Sequence, residues 1–373
     1  MPPPIAFRPV PLRVLILTAS VGEGHDRPAR WLAEQLRAER PETTVLIEDS
    51  LPAMGRLVLT ISESAPRVVF HRFQWLWDFG FWAFTGTAPA RAFVQRALVR
   101  LAAPGTLRLV ERTRPDVIVS VYPQATEVLA RLRLDGRVGV PVVAGITDVA
   151  ALDYWASPGA DLHLVTQPEA VNEVRRIAGQ DAEVHTVTGF TDPAFYEPRS
   201  RDDARDTLGV PRDAKLIVVS GGGWGVGDIH GAIEESLAIP GTTIACLTGR
   251  NDALKADLEA RFGDESRVRV EGFTEVMADW LAAADVLVHS TGGLTVLEAL
   301  LRGCPVVSYG WGRGHIRKHN EAFRRYGLAD VARTRSELLV ALIRALQRER
   351  VELNGYAGLR SAASFVFAAA DAR

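Results

Sequence analysis

The chain of 373 residues lacks several features that would assign it to a specialised class of protein. It contains only two cysteines, Cys246 and Cys304, each inside an apolar run. A disulfide framework is therefore excluded, and buried free thiols in a reducing compartment are expected. Its 43 basic and 45 acidic residues leave a formal net charge of −2, which gives no support for nucleic-acid binding.

Signals for secretion or membrane spanning are also missing. No run approaches the roughly 18 apolar residues of a transmembrane helix. The N-terminal "MPPPIAFRPVPLRVLILTAS" has prolines in place of a basic region, and its apolar stretch is too short for a signal peptide. We expect a cytoplasmic protein, and peripheral contact with the inner membrane face stays open.

Short apolar runs alternate with helix-like segments along the chain. Runs such as "RVLILTA" and "DVIVSVY" are typical of buried strands, so the pattern predicts an α/β protein with parallel sheets. Prolines, charges and turn-forming residues cluster at 188–205, which indicates a linker. We expect a Rossmann-like domain over 1–190, a second over 191–355, and a C-terminal helix over 356–373 that packs back on the first domain.

The segment 67–101 breaks this rhythm because aromatic side chains, among them Trp75, Trp77 and Trp82, are concentrated between arginines. Two interpretations stay open. The aromatics could form the core of a helical subdomain. Alternatively, they could form a surface where Trp and Phe enter the lipid boundary and Arg meets anionic headgroups.

Two turns in the second half have the composition of phosphate-binding loops. "GGGWGVGDI" places glycines between a predicted strand and a helix, where backbone N–H groups and the helix dipole can hold an anion. A merely tight turn is the simpler alternative. "HSTGGLTVLEAL" repeats the arrangement, and its Glu298 could accept hydrogen bonds from a ribose. Two such turns in one domain indicate a nucleotide diphosphate.

These motifs, together with "TGR", "VEGFTEVMADWLAAADVLV" and "GHIRKHNEAF", resemble in order the donor half of GT-B glycosyltransferases. They are most similar to family 28, which includes monogalactosyldiacylglycerol synthases and processive diacylglycerol glucosyltransferases. "VLILTASVGEGH", "PDVIVSVYP", "ITD" and "VTGFTDPAF" resemble the acceptor half of the same family. The resemblance covers nearly the whole chain. It implies two facing Rossmann-like domains with a cleft between them, a UDP-sugar donor, no cofactor and no essential metal.

The resemblance also implies a donor site in the second domain. Its glycine-rich turns would line the pyrophosphate, Arg250 and Phe273 would border the uracil, and Glu298 would bind the ribose. His315 and Asn320 would belong to the loop that reads the sugar. The donor-binding residues implied in full are Gly222, Gly223, Trp224, Gly225, Arg250, Phe273, Thr291, Gly292, Gly293, Thr295, Glu298, His315 and Asn320.

In the first domain the resemblance implies two catalytic residues, His25 as the general base and Asp148 near the acceptor pocket. A neutral imidazole suits proton abstraction near physiological pH. Gly24 would make room beside His25. The acceptor-binding residues implied are Gly24, Trp75, Trp77 and Trp82.

Three stretches depart from the usual family pattern. The sugar-reading loop has Gly314-His315-Ile316 in place of Gly-Gln-Glu, and Ser290-Thr291 replaces Lys-Pro. The linker reads Phe190-Thr191-Asp192-Pro193 and lacks an arginine. These differences leave the donor sugar open.

We therefore hypothesise an inverting, UDP-sugar-dependent hexosyltransferase that acts on a lipid such as diacylglycerol at an anionic membrane surface. One alternative is the same chemistry on a soluble small molecule or a polyprenyl-linked acceptor. A second is a non-catalytic UDP-sugar-binding protein. Processivity and oligomeric state stay open, and no DxD-like metal motif lies in a suitable loop.

Overall fold

The computed structural model describes residues 11–20, 23–56, 58–60, 88–150, 152–290, 293–310, 315–350, 356 and 358–372. Within them, two six-stranded parallel sheets follow one another along the chain. The strands of the first sheet are β1 (Arg13–Thr18), β2 (Thr44–Asp49), β3 (Val117–Ser120), β4 (Val142–Ile146), β5 (Leu162–Val165) and β6 (Val184–Thr186). Those of the second are β7 (Lys215–Ser220), β8 (Thr242–Leu247), β9 (Val268–Glu271), β10 (Val286–His289), β11 (Val306–Tyr309) and β12 (Asp330–Ala332).

Helices connect the strands and cover both faces of each sheet. Those of the first half are α1 (Glu23–Glu39), α2 (Ser50–Met54), α3 (Ala88–Thr113), α4 (Pro123–Leu134), α5 (Leu152–Trp155) and α6 (Val171–Ala178). Those that follow are α7 (Arg201–Leu208), α8 (Ile229–Leu237), α9 (Asp252–Phe262), α10 (Met277–Ala283), α11 (Leu294–Leu301), α12 (His315–Tyr326), α13 (Arg335–Ala345) and α14 (Ala362–Asp371).

Each strand of a parallel sheet contributes to two hydrophobic layers, because successive side chains point to opposite faces. In β1, Leu15 and Leu17 belong to one core layer, whereas Val14 and Ile16 belong to the other. All four are at most 1% exposed. The strands order as β2-β1-β3-β4-β5-β6 and β12-β11-β10-β7-β8-β9. The predicted α/β architecture with parallel sheets is confirmed.

The structure differs from the sequence-based expectation in two places. The last strand of each sheet, β6 and β12, has no counterpart among the predicted strands. Both are only three residues long, too short for a periodic signal. In addition, the composition of "GEGH" (22–25) predicts a turn before the helix, whereas α1 begins at Glu23, so that Gly24 and His25 lie in its first helical turn.

The C-terminal helix α14 packs on the first domain. Val366 and Phe367 are 0% and 3% exposed in the same core layer as Val14. The backbone N–H of Ala363 donates to Gln35 Oε1 of α1 at 3.1 Å. The chain therefore leaves the second domain and closes on the first.

The segment 67–101 enters the described part of the chain as the beginning of α3, whereas Trp75, Trp77 and Trp82 lie outside it. Among the helices described, none has both the length and the apolar character needed to cross a membrane. Cys246 and Cys304 are buried and free, as predicted, and burial raises the pKa of each thiol to about 12.

Phe367→Ala should lower the free energy of unfolding by about 3–5 kcal/mol, because it leaves a cavity between α14 and the first sheet. It also removes the ring that the Arg40 guanidinium covers at 4.2 Å. Val340→Ala is the control, since Val340 is 57% exposed. Urea unfolding of both variants measures the difference. Equal, small effects would show that α14 does not stabilise the fold.

Candidate active site

The candidate site lies at the carboxyl ends of the central strands of the two sheets. Strand order reverses between β1 and β3 in the first sheet and between β7 and β10 in the second. Open α/β sheets bind ligands in the crevice at such reversals. His25 follows β1, and the two glycine-rich turns follow β7 and β10. The topology therefore places both sets of predicted residues at ligand-binding crevices.

His25 is held by the first domain. Its Nδ1 lies 3.0 Å from the carbonyl oxygen of Val121, which directly follows β3. A carbonyl only accepts, so Nδ1 carries the proton and the neutral ring keeps its lone pair on Nε2. The ring also packs edge-on against Tyr122 and at a tilt against Trp155, with centroids 5.1 and 5.8 Å away. This tautomer is the one that a base acting through Nε2 requires.

The turn after β7 folds tightly onto the end of β10. Gly225 has φ +63°, which favours glycine, and Val226 N–H donates to Gly221 O at 2.9 Å. A Cβ at Gly227 would lie 2.7 Å from the side chain of Ser290, whose hydroxyl donates to the carbonyl of Val226. The two predicted phosphate turns are therefore in direct contact.

The loop after β8 packs against the same turn. The backbone N–H of Arg250 donates to Gly223 O at 2.9 Å. The guanidinium of Arg250 lies 4.5 Å from the ring centroid of Phe273, which follows β9. Phe273 is 45% exposed, although its ring is apolar. The two residues predicted to border the uracil therefore lie together, beside the glycine-rich turn.

Glu298 connects the second domain to the linker. It lies on α11, is 6% exposed and accepts a hydrogen bond from the Thr191 hydroxyl at 3.0 Å. Burial raises its pKa from the ordinary 4.5 to about 7, against the opposing effects of the Thr191 hydrogen bond and the charge of Arg27. Gly293 precedes α11 and Thr295 lies half-buried in its first turn.

Asp148 and His319 form a close polar contact between the domains. His319 Nε2 on α12 lies 3.1 Å from Asp148 Oδ2, and the two side chains are 1% and 10% exposed. The other carboxylate oxygen accepts from the backbone N–H of Ala150 at 3.0 Å. Asp148 thus faces the second domain with both oxygens engaged.

The remaining predicted residues are placed as follows. Asn320 is fully buried on α12. Its side-chain oxygen accepts from the Ser308 hydroxyl, and its side-chain nitrogen donates to Gly310 O at 2.9 Å. We expect any effect of Asn320 on sugar recognition to act through the loop after β11. Apart from its chain neighbours and the backbone of its own helix, no atom of the described residues lies within 4 Å of a Cβ built on Gly24. Thr291, Gly292 and the side chains of Trp224 and His315 lie outside the described residues, with the three tryptophans already named.

Sequence patterns did not identify three residues that the structure places at the cleft. Arg27 lies over the ring of Phe273, 5.9 Å from its centroid, and therefore reaches from the first domain to the second. Thr191 and His319 bind the buried carboxylates described above. Thr191 stood out as a departure from the family pattern, but no motif indicated its partner.

The raised pKa of Glu298 predicts a pH-dependent stability. This pKa is higher in the folded state than in the unfolded state. The stabilising contribution of protonated Glu298 to the free energy of unfolding is therefore complete below pH 4.5 and is lost as the pH rises through about 7. Glu298→Gln cannot ionise, so relative to wild type it should gain up to about 3 kcal/mol of unfolding free energy between pH 5 and pH 8. Urea unfolding across this range tests it. Parallel curves for the two proteins would contradict a raised pKa.

In comparisons with known proteins, two different family models match the first and the second half of the chain. A family model described as monogalactosyldiacylglycerol (MGDG) synthase matches residues 25–191, and one described as glycosyl transferases group 1 matches residues 232–348. A processive diacylglycerol beta-glucosyltransferase from Staphylococcus carnosus strain TM300 is 24% identical over 344 residues, covering 90% of this chain and 85% of the relative.

Two solved structures align along almost the entire chain. The glycotransferase of kitacinnamycin gives a TM-score of 0.59 at 15% identity, with 97% of this chain and 100% of that chain covered. MurG from Acinetobacter baumannii gives 0.58 at 16% identity, with 97% and 99% covered. The resemblance found in the motifs is confirmed: this chain is a glycosyltransferase with the GT-B fold, and its first domain matches the MGDG synthase model.

Proposed function

We propose that the chain is an inverting glycosyltransferase that moves a hexose from a UDP-sugar to a lipid hydroxyl, such as that of diacylglycerol. The hydrogen bond from His25 Nδ1 to Val121 O carries the proposal. This bond leaves Nε2 of a neutral imidazole as a proton acceptor. The imidazole lies beyond the end of β1 in the first domain, and the glycine-rich turns lie in the second domain. The relative from Staphylococcus carnosus is named as a beta-glucosyltransferase acting on diacylglycerol.

The reaction we propose is a single displacement. His25 Nε2 takes the proton of the acceptor hydroxyl, and the acceptor oxygen attacks the anomeric carbon from the face opposite UDP. As that bond forms, the bond from the anomeric carbon to the diphosphate oxygen breaks and its electron pair leaves with UDP. An α-linked donor therefore gives a β-linked product.

The departing diphosphate needs compensation of its growing negative charge. We assign this to the backbone N–H groups of the turn after β7 and to the N-terminus of α11, whose dipole favours an anion. Arg250, packed on that turn, adds a positive charge. We propose that no metal is essential, so activity should persist in excess EDTA.

The exposed face of α3 supports a lipid acceptor. Phe93 and Leu101 are 72% and 53% exposed on this helix. Arg96, Arg100 and Arg108 are exposed on the same side, at positions separated by about one, two and four turns from Phe93. Apolar side chains flanked by arginines suit the surface of an anionic membrane. We propose that this α3 face brings the cleft to its lipid substrate.

Loss of the base gives the first functional test. His25→Ala should lower kcat by about 10²–10⁴-fold with diacylglycerol vesicles, because a positioned base contributes about that much. The matched control is His185→Ala, which removes an imidazole from the edge strand β6. Product mass and anomeric configuration are read by mass spectrometry and NMR over a panel of UDP-sugars.

The outcomes separate the candidate functions. UDP binding measured by calorimetry should be unchanged in His25→Ala. UDP binding by wild type without turnover of any donor or acceptor would favour the non-catalytic alternative. Turnover with soluble acceptors alone would favour a soluble substrate, and an α-linked product from an α-linked donor would exclude the single displacement.

Vesicle flotation tests the α3 face. Arg96→Ala combined with Arg100→Ala should reduce binding to phosphatidylserine-containing vesicles by at least about tenfold at low salt, since each arginine contributes about 1 kcal/mol at such a surface. Phe93→Ser should also reduce it. Leu134→Ser is the control, because Leu134 is 58% exposed at the end of α4. If the α3 variants floated with vesicles as the wild type does, the assignment of the α3 face to membrane binding would be wrong.

A further inference from the structure

We propose that Arg27 of the first domain completes the nucleotide-diphosphate site of the second domain and that nucleotide binding thereby positions His25. The inference rests on the proposed function, because it concerns the same donor site. It identifies a residue that no motif indicated, on the helix that also carries the base. It makes the donor site a property of both domains.

The first turn of α1 directs two functional side chains to opposite sides. Residues two positions apart on a helix point about 200° apart. His25 accordingly packs on its own domain, against Val121, Tyr122 and Trp155. Arg27 extends to the other domain, over the ring of Phe273.

The direction of Arg27 is fixed by its neighbour. Thr18, the last residue of β1, donates its hydroxyl proton to Asp26 Oδ1 at 2.9 Å. This bond ties the first turn of α1 to the end of the sheet and sets the rotation of the helix. Because His25 and Arg27 lie on either side of Asp26 in this anchored turn, we infer that a ligand that holds Arg27 also holds the backbone that carries His25.

The groups around the Arg27 guanidinium match the parts of a nucleoside diphosphate. Phe273 offers an apolar ring for a base, already covered on one side by Arg250 at 4.5 Å. Glu298 offers a carboxyl group for ribose hydroxyls, and the charge of Arg27 opposes the rise in its pKa that burial causes. A guanidinium presents several N–H donors in a plane and suits phosphate oxygens. We assign Arg27 to the diphosphate and Phe273 with Glu298 to the nucleoside.

Arg27 also supplies a positive charge that the turn after β10 lacks, since Ser290-Thr291 stands there in place of the family's Lys-Pro. That turn begins with Ser290, whose hydroxyl is used within the protein, on Val226 O. Arg27 reaches in from the first domain and adds positive charge near Glu298 on α11, the helix that follows this turn, only when the two halves are together. Nucleotide binding and the approach of His25 are therefore coupled, and Arg27 is a positioning residue for the base.

The test combines binding and kinetics in the full chain. Arg27→Ala should weaken UDP binding measured by calorimetry about 10–100-fold, the range of a charged hydrogen bond, and should weaken UMP binding less. At saturating UDP-sugar it should also lower kcat, whereas a residue that only held the nucleotide would change KM alone. Arg27→Lys should fall between Ala and wild type. Arg30→Ala, exposed one turn further along α1, is the matched control.

Each result separates this inference from the function on which it rests. Wild type that fails to bind UDP overturns both. Wild type that binds UDP with an affinity and kcat indifferent to Arg27→Ala overturns the inference alone. Equal weakening of UDP and UMP would overturn the assignment to the diphosphate, and an unchanged kcat would overturn the coupling to His25. Circular dichroism and the thermal midpoint confirm that each variant is folded.

Discussion

Burial of both faces of two parallel sheets is the constraint on which the rest of the structure depends. With helices on each face, no strand side chain is left open to a ligand, and binding residues must lie on the loops at the carboxyl ends. The reversal of strand order then selects which loops form a crevice. His25 after β1 and the glycine-rich turn after β7 occupy equivalent places in the two halves. The proposed donor and acceptor sites thus lie at the same kind of position in the two sheets.

One polar contact joins the two domains, and another holds the linker between them to the second domain. The pair between Asp148 and His319 and the bond from Thr191 to Glu298 are both buried. Removing one partner of such a contact leaves a desolvated polar group, which is costly. The helix α14 adds an apolar connection, because the chain returns to the first domain and buries Phe367 there. The cleft is therefore bounded by contacts that specify its geometry as well as stabilise it.

The predictable part of this protein was the part encoded in long local patterns. Apolar runs of four to six residues marked ten strands, whereas the three-residue edge strands β6 and β12 gave no signal. The start of α1 was also missed, because "GEGH" has the composition of a turn, yet its last residues are helical. Asn320 stands in a matched motif, and only the structure shows that its amide accepts from Ser308 and donates to Gly310 O. Its part in reading the sugar stays a prediction.

The sequence by itself determined the α/β architecture and the glycine-rich turns, since each depends on residues near one another in the chain. Only the tertiary structure decided the tautomer of His25 and the raised pKa of Glu298. Val121, whose carbonyl sets the tautomer, lies 96 positions from His25. Burial in the folded domain raises the pKa of Glu298 against the effect of its hydrogen bond from Thr191, 107 positions away. The same holds for Arg27, which meets Phe273 only because two sheets present their carboxyl ends to one cleft. The local sequence pattern determines which face of a helix or strand a side chain occupies. Only the folding of the whole chain brings its interaction partner, distant in sequence, into contact with it.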